Sequence, residues 1–174
     1  MLQINIRWDN QSGRALDALL DRMSDLRPAL KEIGEELAHS TKQRFVTATD
    51  PDGNAWEPNA DTTLLRYGMR YRGNGGRKGQ KRAAERIASK KPLTGESRQL
   101  ARTIGYQVQN ATTVAIGSPM IYAATQQFGA EKGAYGYSRR GPIPWGKIPA
   151  RPFLGVSAQD RQNILDILQQ HLKP

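Results

Sequence analysis

Along the first eight residues Leu2, Ile4, Ile6 and Trp8 alternate with Gln3, Asn5 and Arg7, the period of a half-buried strand. After a turn over residues 9–13 the spacing changes to threes and fours: Leu16, Leu19, Leu20, Met23 and Leu26, then Leu30, Ile33, Leu37 and Phe45. That is the stripe of an amphipathic helix. Pro28 fits only a first helical turn, so the stripe divides into a short helix over about 14–24 and a longer one over about 28–46. A turn-rich stretch, residues 49–58, follows, with Trp56 expected to plug the core.

Alternation returns at Ile104, Tyr106 and Val108 and again at Val114 and Ile116, with Asn110-Ala111 between, the signature of an antiparallel hairpin. A helical turn is expected at 96–100, and residues 121–128 read as a short helix ended by Gly129 in the left-handed conformation. Ser157 with Asp160 three residues on resembles a capping box, opening a last helix over about 158–172 that buries Ile164, Leu165, Ile167, Leu168 and Leu172.

One segment has neither period: Ile148-Pro149-Ala150-Arg151-Pro152-Phe153-Leu154-Gly155. Each proline fixes its own φ and keeps the residue before it out of the helical region, so the segment is a stiff, extended strap. It offers Ile148, Phe153 and Leu154 as anchors and Arg151 as one fixed cation. The elements together imply an α+β fold. A small antiparallel sheet of three to four strands is packed by the N-terminal helices and the C-terminal helix, with a long basic loop inserted. Residues 1–174 are expected as a single domain, with 62–92 a basic, glycine-rich flexible insertion. Residues 130–147 form an aromatic and glycine-rich loop holding Tyr135, Tyr137, Arg139, Arg140 and Trp145.

Charge sharpens this division. The chain of 174 residues has a net charge of +10. Between Arg66 and Lys91 there are ten basic residues and one acidic residue, Glu85, leaving 16 basic and 15 acidic residues elsewhere. The basicity belongs to the insertion. A solvated loop is its plain reading; the sharper one is that Arg66, Arg70, Arg72, Arg77, Lys78, Lys81 and Arg82, interleaved with Tyr67 and Tyr71, contact a nucleic-acid backbone or an acidic protein surface. No apolar run approaches the length of a membrane span, and with no cysteine there is neither a disulfide nor a thiolate site.

Catalytic and metal chemistry finds little support. The glycines at 73–79 lack the spacing and preceding strand of a phosphate-binding loop. Asp50, Asp52, Glu57 and Asp61 do not fit a calcium loop, whose glycine stands sixth rather than fourth. His39 and His171 have no partners in sequence for acid–base work. No cofactor, metal or catalytic residue is expected, and the unusual features favour contacts with other proteins.

Phe45, the Pro51-Asp52-Gly53 turn with Trp56, Leu93-Thr94-Gly95 before Leu100, the hairpin, Tyr122-Ala123 with Gln127-Phe128-Gly129, and Ile148 to Gly155 follow one another in the order of a known family. In these residues the chain resembles the phage virion morphogenesis family, the tail-completion proteins of Mu-like and P2-like tailed phages and prophages. The resemblance spans nearly the whole chain, and the strap after Gln-Phe-Gly is its most specific part. Two departures stand out. Gln126 occupies the place where such proteins usually have His, and the basic stretch is a variable insertion.

What the resemblance implies is structural work: a protein that completes the head-proximal end of the tail and enables head–tail joining at the neck. Implied partners are other copies of the chain in a ring around the DNA channel, six-fold in many related neck proteins, with tail tube or tail terminator and connector proteins as neighbours. Implied locations are the host cytoplasm during assembly and the tail–neck junction of the virion. Gln127, Phe128, Trp145, Arg151, Pro152 and Phe153 are the expected assembly residues, with Arg151→Glu expected to spare folding. The alternative is a nucleic-acid-binding accessory protein using the basic stretch 66–91.

Overall fold

A computed structural model describes residues 10–73 and 75–173, and the strand expected over Leu2 to Trp8 lies outside them. In chain order the elements are α1 (Asn10–Ser24), α2 (Arg27–Thr47), α3 (Asp61–Tyr71), α4 (Gly76–Ala88), α5 (Gln99–Arg102), β1 (Gly105–Asn110), β2 (Thr113–Gly117), α6 (Ala123–Phe128), β3 (Tyr137–Ser138), β4 (Gly141–Pro142) and α7 (Ala158–Leu172). The chain divides into two compact units. Unit 1 comprises the chain up to His39, Gly105–Gly117 and the residues from Val156 onward; unit 2 comprises Ser40–Ile104 and Ser118–Gly155.

Unit 1 is built on the first part of α2, whose Leu30, Ile33 and Leu37 are buried at helical spacing, as their periodicity requires. Tyr106 of β1 lies on the same helix because residue 34 is glycine: a Cβ there would stand 2.3 Å from the ring. The Tyr106 hydroxyl then donates to Glu35 at 2.9 Å, and this bond to a carboxylate raises the phenol's pKa. From α7, Asn163 donates to Glu36 at 2.6 Å and the His171 ring lies 3.2 Å from the Arg22 carbonyl of α1. The expected capping box opens α7, with Ser157 Oγ accepting from the Asp160 amide and Asp160 accepting from the Ser157 amide.

The hairpin is antiparallel, pairing Tyr106 with Ile116 and Val108 with Val114, and its register shifts between Val108 and Asn110. Among the described residues there is no sheet of three or four strands: β1–β2 and β3–β4 are two separate pairs. The reason is chemical. Pro149 and Pro152 give the strap no donors at those positions, and apart from the bridge at Ile148 and the Arg151 amide bond to the Gln126 carbonyl, the partners described for its backbone are side chains rather than a ladder.

In unit 2 the basic insertion is the larger correction. Expected as a loop, it is two helices, α3 and α4, packed against each other. Glycines make this possible. A Cβ at Gly68 would meet Ile87 Cδ1 at 2.5 Å, and one at Gly79 would lie 2.1 Å from the Arg72 carbonyl oxygen. Arg86 stacks over Tyr71 at 4.8 Å and Lys90 over Tyr67 at 4.7 Å, closing the hairpin with cation–π contacts. The aromatic stretch 130–147 carries the short β3–β4 pair, held to α6 by a 2.6 Å bond between the Tyr135 and Thr125 hydroxyls. Gly129 ends α6 with the expected positive φ of 75°, but its ψ of 178° is extended rather than left-handed helical.

Candidate functional site

The strap begins with a reciprocal bridge, Ile148 to Ala130, at 2.8 and 2.9 Å. Gly129 is required here, since a Cβ would come within 2.8 Å of both the Ala150 nitrogen and the Ile148 oxygen. Beyond the bridge, the Arg151 amide donates to the Gln126 carbonyl at 2.8 Å, and side chains partner further backbone groups. Gln127 Oε1 accepts from the Phe153 and Leu154 amides at 3.0 Å each, while its Nε2 donates to the Leu154 carbonyl at 3.0 Å. Trp56 Nε1 donates to the Pro152 carbonyl at 2.8 Å. Arg44 donates to the carbonyls of Phe153 and Gly155 at 2.8 and 3.0 Å.

Arg151 reaches the opposite way. Its Nε and Nη2 donate to the Glu57 and Pro58 carbonyls, both at 2.7 Å, tying the strap to the end of the 50–58 turn. Burial pushes this guanidinium below its ordinary pKa, with the nearby Glu57 charge acting in the other direction. Phe153 has 0% of its surface exposed and lies 5.4 Å from Phe45, whose other neighbour at 5.4 Å is Trp56. The turn itself is organised by Asp50, which accepts from the Asp52 and Asn54 amides and the Asn54 side chain. These bonds, the Asn54 side chain foremost, hold the Asp50 carboxyl below the usual range. Among the described residues no group of acidic, histidine or cysteine side chains is placed to hold a metal.

The strap, the residues that grip it and the order in which they occur along the chain can be set against known proteins. The profile of the phage virion morphogenesis family matches residues 9–173. The chain belongs to that family. It is also 29% identical over 175 residues to "Putative capsid assembly protein G" of Escherichia phage Mu, a match covering 98% of this chain and 95% of that protein. No solved structure matches it.

In this family member the six expected assembly residues separate into two groups. Arg151 and Phe153 are buried, Pro152 is half-buried and Gln127 grips the strap, so all four build the frame. Arg151→Glu would place a carboxylate against two carbonyl oxygens, so it would not spare folding, contrary to expectation. Phe128 and Trp145 are different, with 78% and 59% of their surface exposed. Sequence reading missed Ile121, 99% exposed, and treated Tyr137, 82% exposed, only as part of a loop. The helix expected over 121–128 begins only at Ala123, which leaves Ile121 in the turn before it. Tyr67 and Tyr71, expected to face a partner, instead hold Lys90 and Arg86, and Arg70 with Tyr71 meets Glu96. Arg66, Arg72, Arg77, Lys78, Lys81 and Arg82 remain exposed.

Proposed function

We propose that the protein is a structural morphogenesis factor that completes the head-proximal end of the phage tail and enables its joining to the head, working through protein–protein contacts. Membership of the phage virion morphogenesis family over residues 9–173 carries this reading. The Mu relative, named as a capsid assembly protein and matched almost end to end, supports it. So does the division of labour in unit 2: a frame locked by Arg44, Trp56, Gln127 and Arg151 displays Phe128, Trp145, Tyr137 and Ile121 to solvent. Exposed aromatic side chains on a rigid support are what interface centres use, because little conformational freedom is lost when they are covered.

The same reading has copies of the chain closing into a ring around the DNA channel, each presenting one patch to a different patch of its neighbour. Its place is the tail–neck junction, among tail and connector proteins. The test is electron microscopy of lysates from the parent phage or prophage with this gene silenced. Packaged heads beside detached tails are the expected result, whereas intact infectious particles would overturn the proposal.

A further inference from the structure

Helix α4 carries Arg77, Lys78, Lys81 and Arg82, all exposed and none in an ion pair or side-chain hydrogen bond with another described residue. Spacing of four pairs Arg77 with Lys81 and Lys78 with Arg82, each pair separated by ~6 Å along the axis. This arrangement works against the helix that bears it. Gly75 provides no side-chain cap and the first turn has no acidic residue, so Arg77 and Lys78 sit at the positive end of the helix dipole. Like charges four apart add repulsion, which Glu85, the one carboxylate of α4, offsets only in part from its place four residues after Lys81.

The chemistry of the face narrows what would relieve that repulsion. Apart from the small Ala84 and Ala88, every exposed side chain of α4 is charged or an amide. Protein interfaces are centred on apolar and aromatic groups and are depleted in lysine, so this face lacks what a protein partner would bury. Single-stranded nucleic acid is bound by stacking bases on aromatic rings. The hairpin's two tyrosines are already covered by Arg86 and Lys90. A duplex phosphate backbone needs neither apolar surface nor free rings, only cations on a rigid support. The glycine contacts of Gly68 and Gly79 supply that support.

We propose that the exposed face of α4 binds the phosphate backbone of duplex DNA without reading its sequence, through Arg77, Lys78, Lys81 and Arg82. Nothing in this depends on the head–tail reading, and either can fail without the other. The test is fluorescence anisotropy of a short labelled duplex titrated with the full chain over a range of salt. Four phosphate contacts give a slope of log affinity against log salt of ~−3.6, about a hundredfold loss between roughly 50 and 200 mM salt. Lys78→Glu with Arg82→Glu is expected to weaken binding by more than about tenfold at low salt. Arg139→Glu with Arg140→Glu, an equal change of net charge in the aromatic loop, is expected to leave it within about threefold.

Equal losses in the two double variants would overturn the proposal, since binding would then follow net charge alone. A slope for the unmodified chain flatter than about −2 would also overturn it, and that measurement needs no variant to fold. So would displacement of the duplex by poly-glutamate at equal charge concentration, which would make an acidic protein the partner.

Discussion

The strap and the α3–α4 hairpin lie in the same compact unit, yet their charged side chains do opposite work. In the strap region Arg44 and Arg151 are buried, and their guanidinium groups donate to protein oxygens, among them the carbonyls of Phe153, Gly155, Glu57 and Pro58. In the hairpin Arg77, Lys78, Lys81 and Arg82 stand in solvent and make no ion pair or side-chain hydrogen bond with another described residue. A cation whose donors are spent on the fold is a structural part. One held out on a rigid helix, against that helix's own dipole, is available to a partner. The aromatic side chains divide in the same way, since Phe153 is spent on the core while Phe128 and Trp145 stand in solvent.

The largest expected effect is at the centre of the frame. Phe153→Ala removes a fully buried ring from contact with Phe45 and should cost about 3–5 kcal/mol, read as a lower denaturant midpoint. Arg151→Lys sharpens the contrast because it keeps the charge and loses the fork. One ammonium cannot reproduce the directed pair of bonds to Glu57 and Pro58, so a loss of roughly 1.5–3 kcal/mol is expected. An unchanged midpoint would show that Arg151 acts as a charge only.

The hairpin has its own weak point, in its backbone rather than its charges. Gly79→Ala drives a methyl into the Arg72 carbonyl and should cost about 1–3 kcal/mol with loss of helical circular dichroism. The smallest effect is on pH dependence. The ionised Asp50 is the bonded form and its folded pKa lies below the unfolded one. Its contribution is therefore complete above the ordinary carboxylate pKa and is lost as the pH falls through the depressed folded value. Asp50→Asn should flatten that acid limb in a pH series of thermal melts.

Much of this architecture is visible in the chain itself. Leu30, Ile33 and Leu37 announce the buried face of α2, Ser157 with Asp160 marks the start of α7, and the alternation around Asn110 gives the hairpin. The strap's extended course follows from its prolines. Its partners were not legible, because the bonds from Arg151 to Glu57 and from Trp56 to Pro152 span more than ninety residues and leave no local pattern. The basic insertion was misread for a different reason. Its glycines suggested a loop, but Gly79, Ala83 and Ile87 recur every four residues, a stripe whose Gly79 lets the chain at Arg72 come close and whose Ile87 fills the space beside Gly68. Arginine, lysine, glutamine, glutamate and alanine fill the rest of α4 after Gly76, and all favour helix.

The most direct test is joining in vitro: purified packaged heads and tails from the silenced phage, mixed with the unmodified chain or with Phe128→Ser/Trp145→Ser, counted by electron microscopy and plaque titre. Both side chains are largely exposed, so the double variant should melt within about 0.5 kcal/mol of the unmodified chain. The account predicts joined, infectious particles with the unmodified chain and detached heads and tails with the variant. Equal joining by both proteins, or joining with neither added, would contradict it.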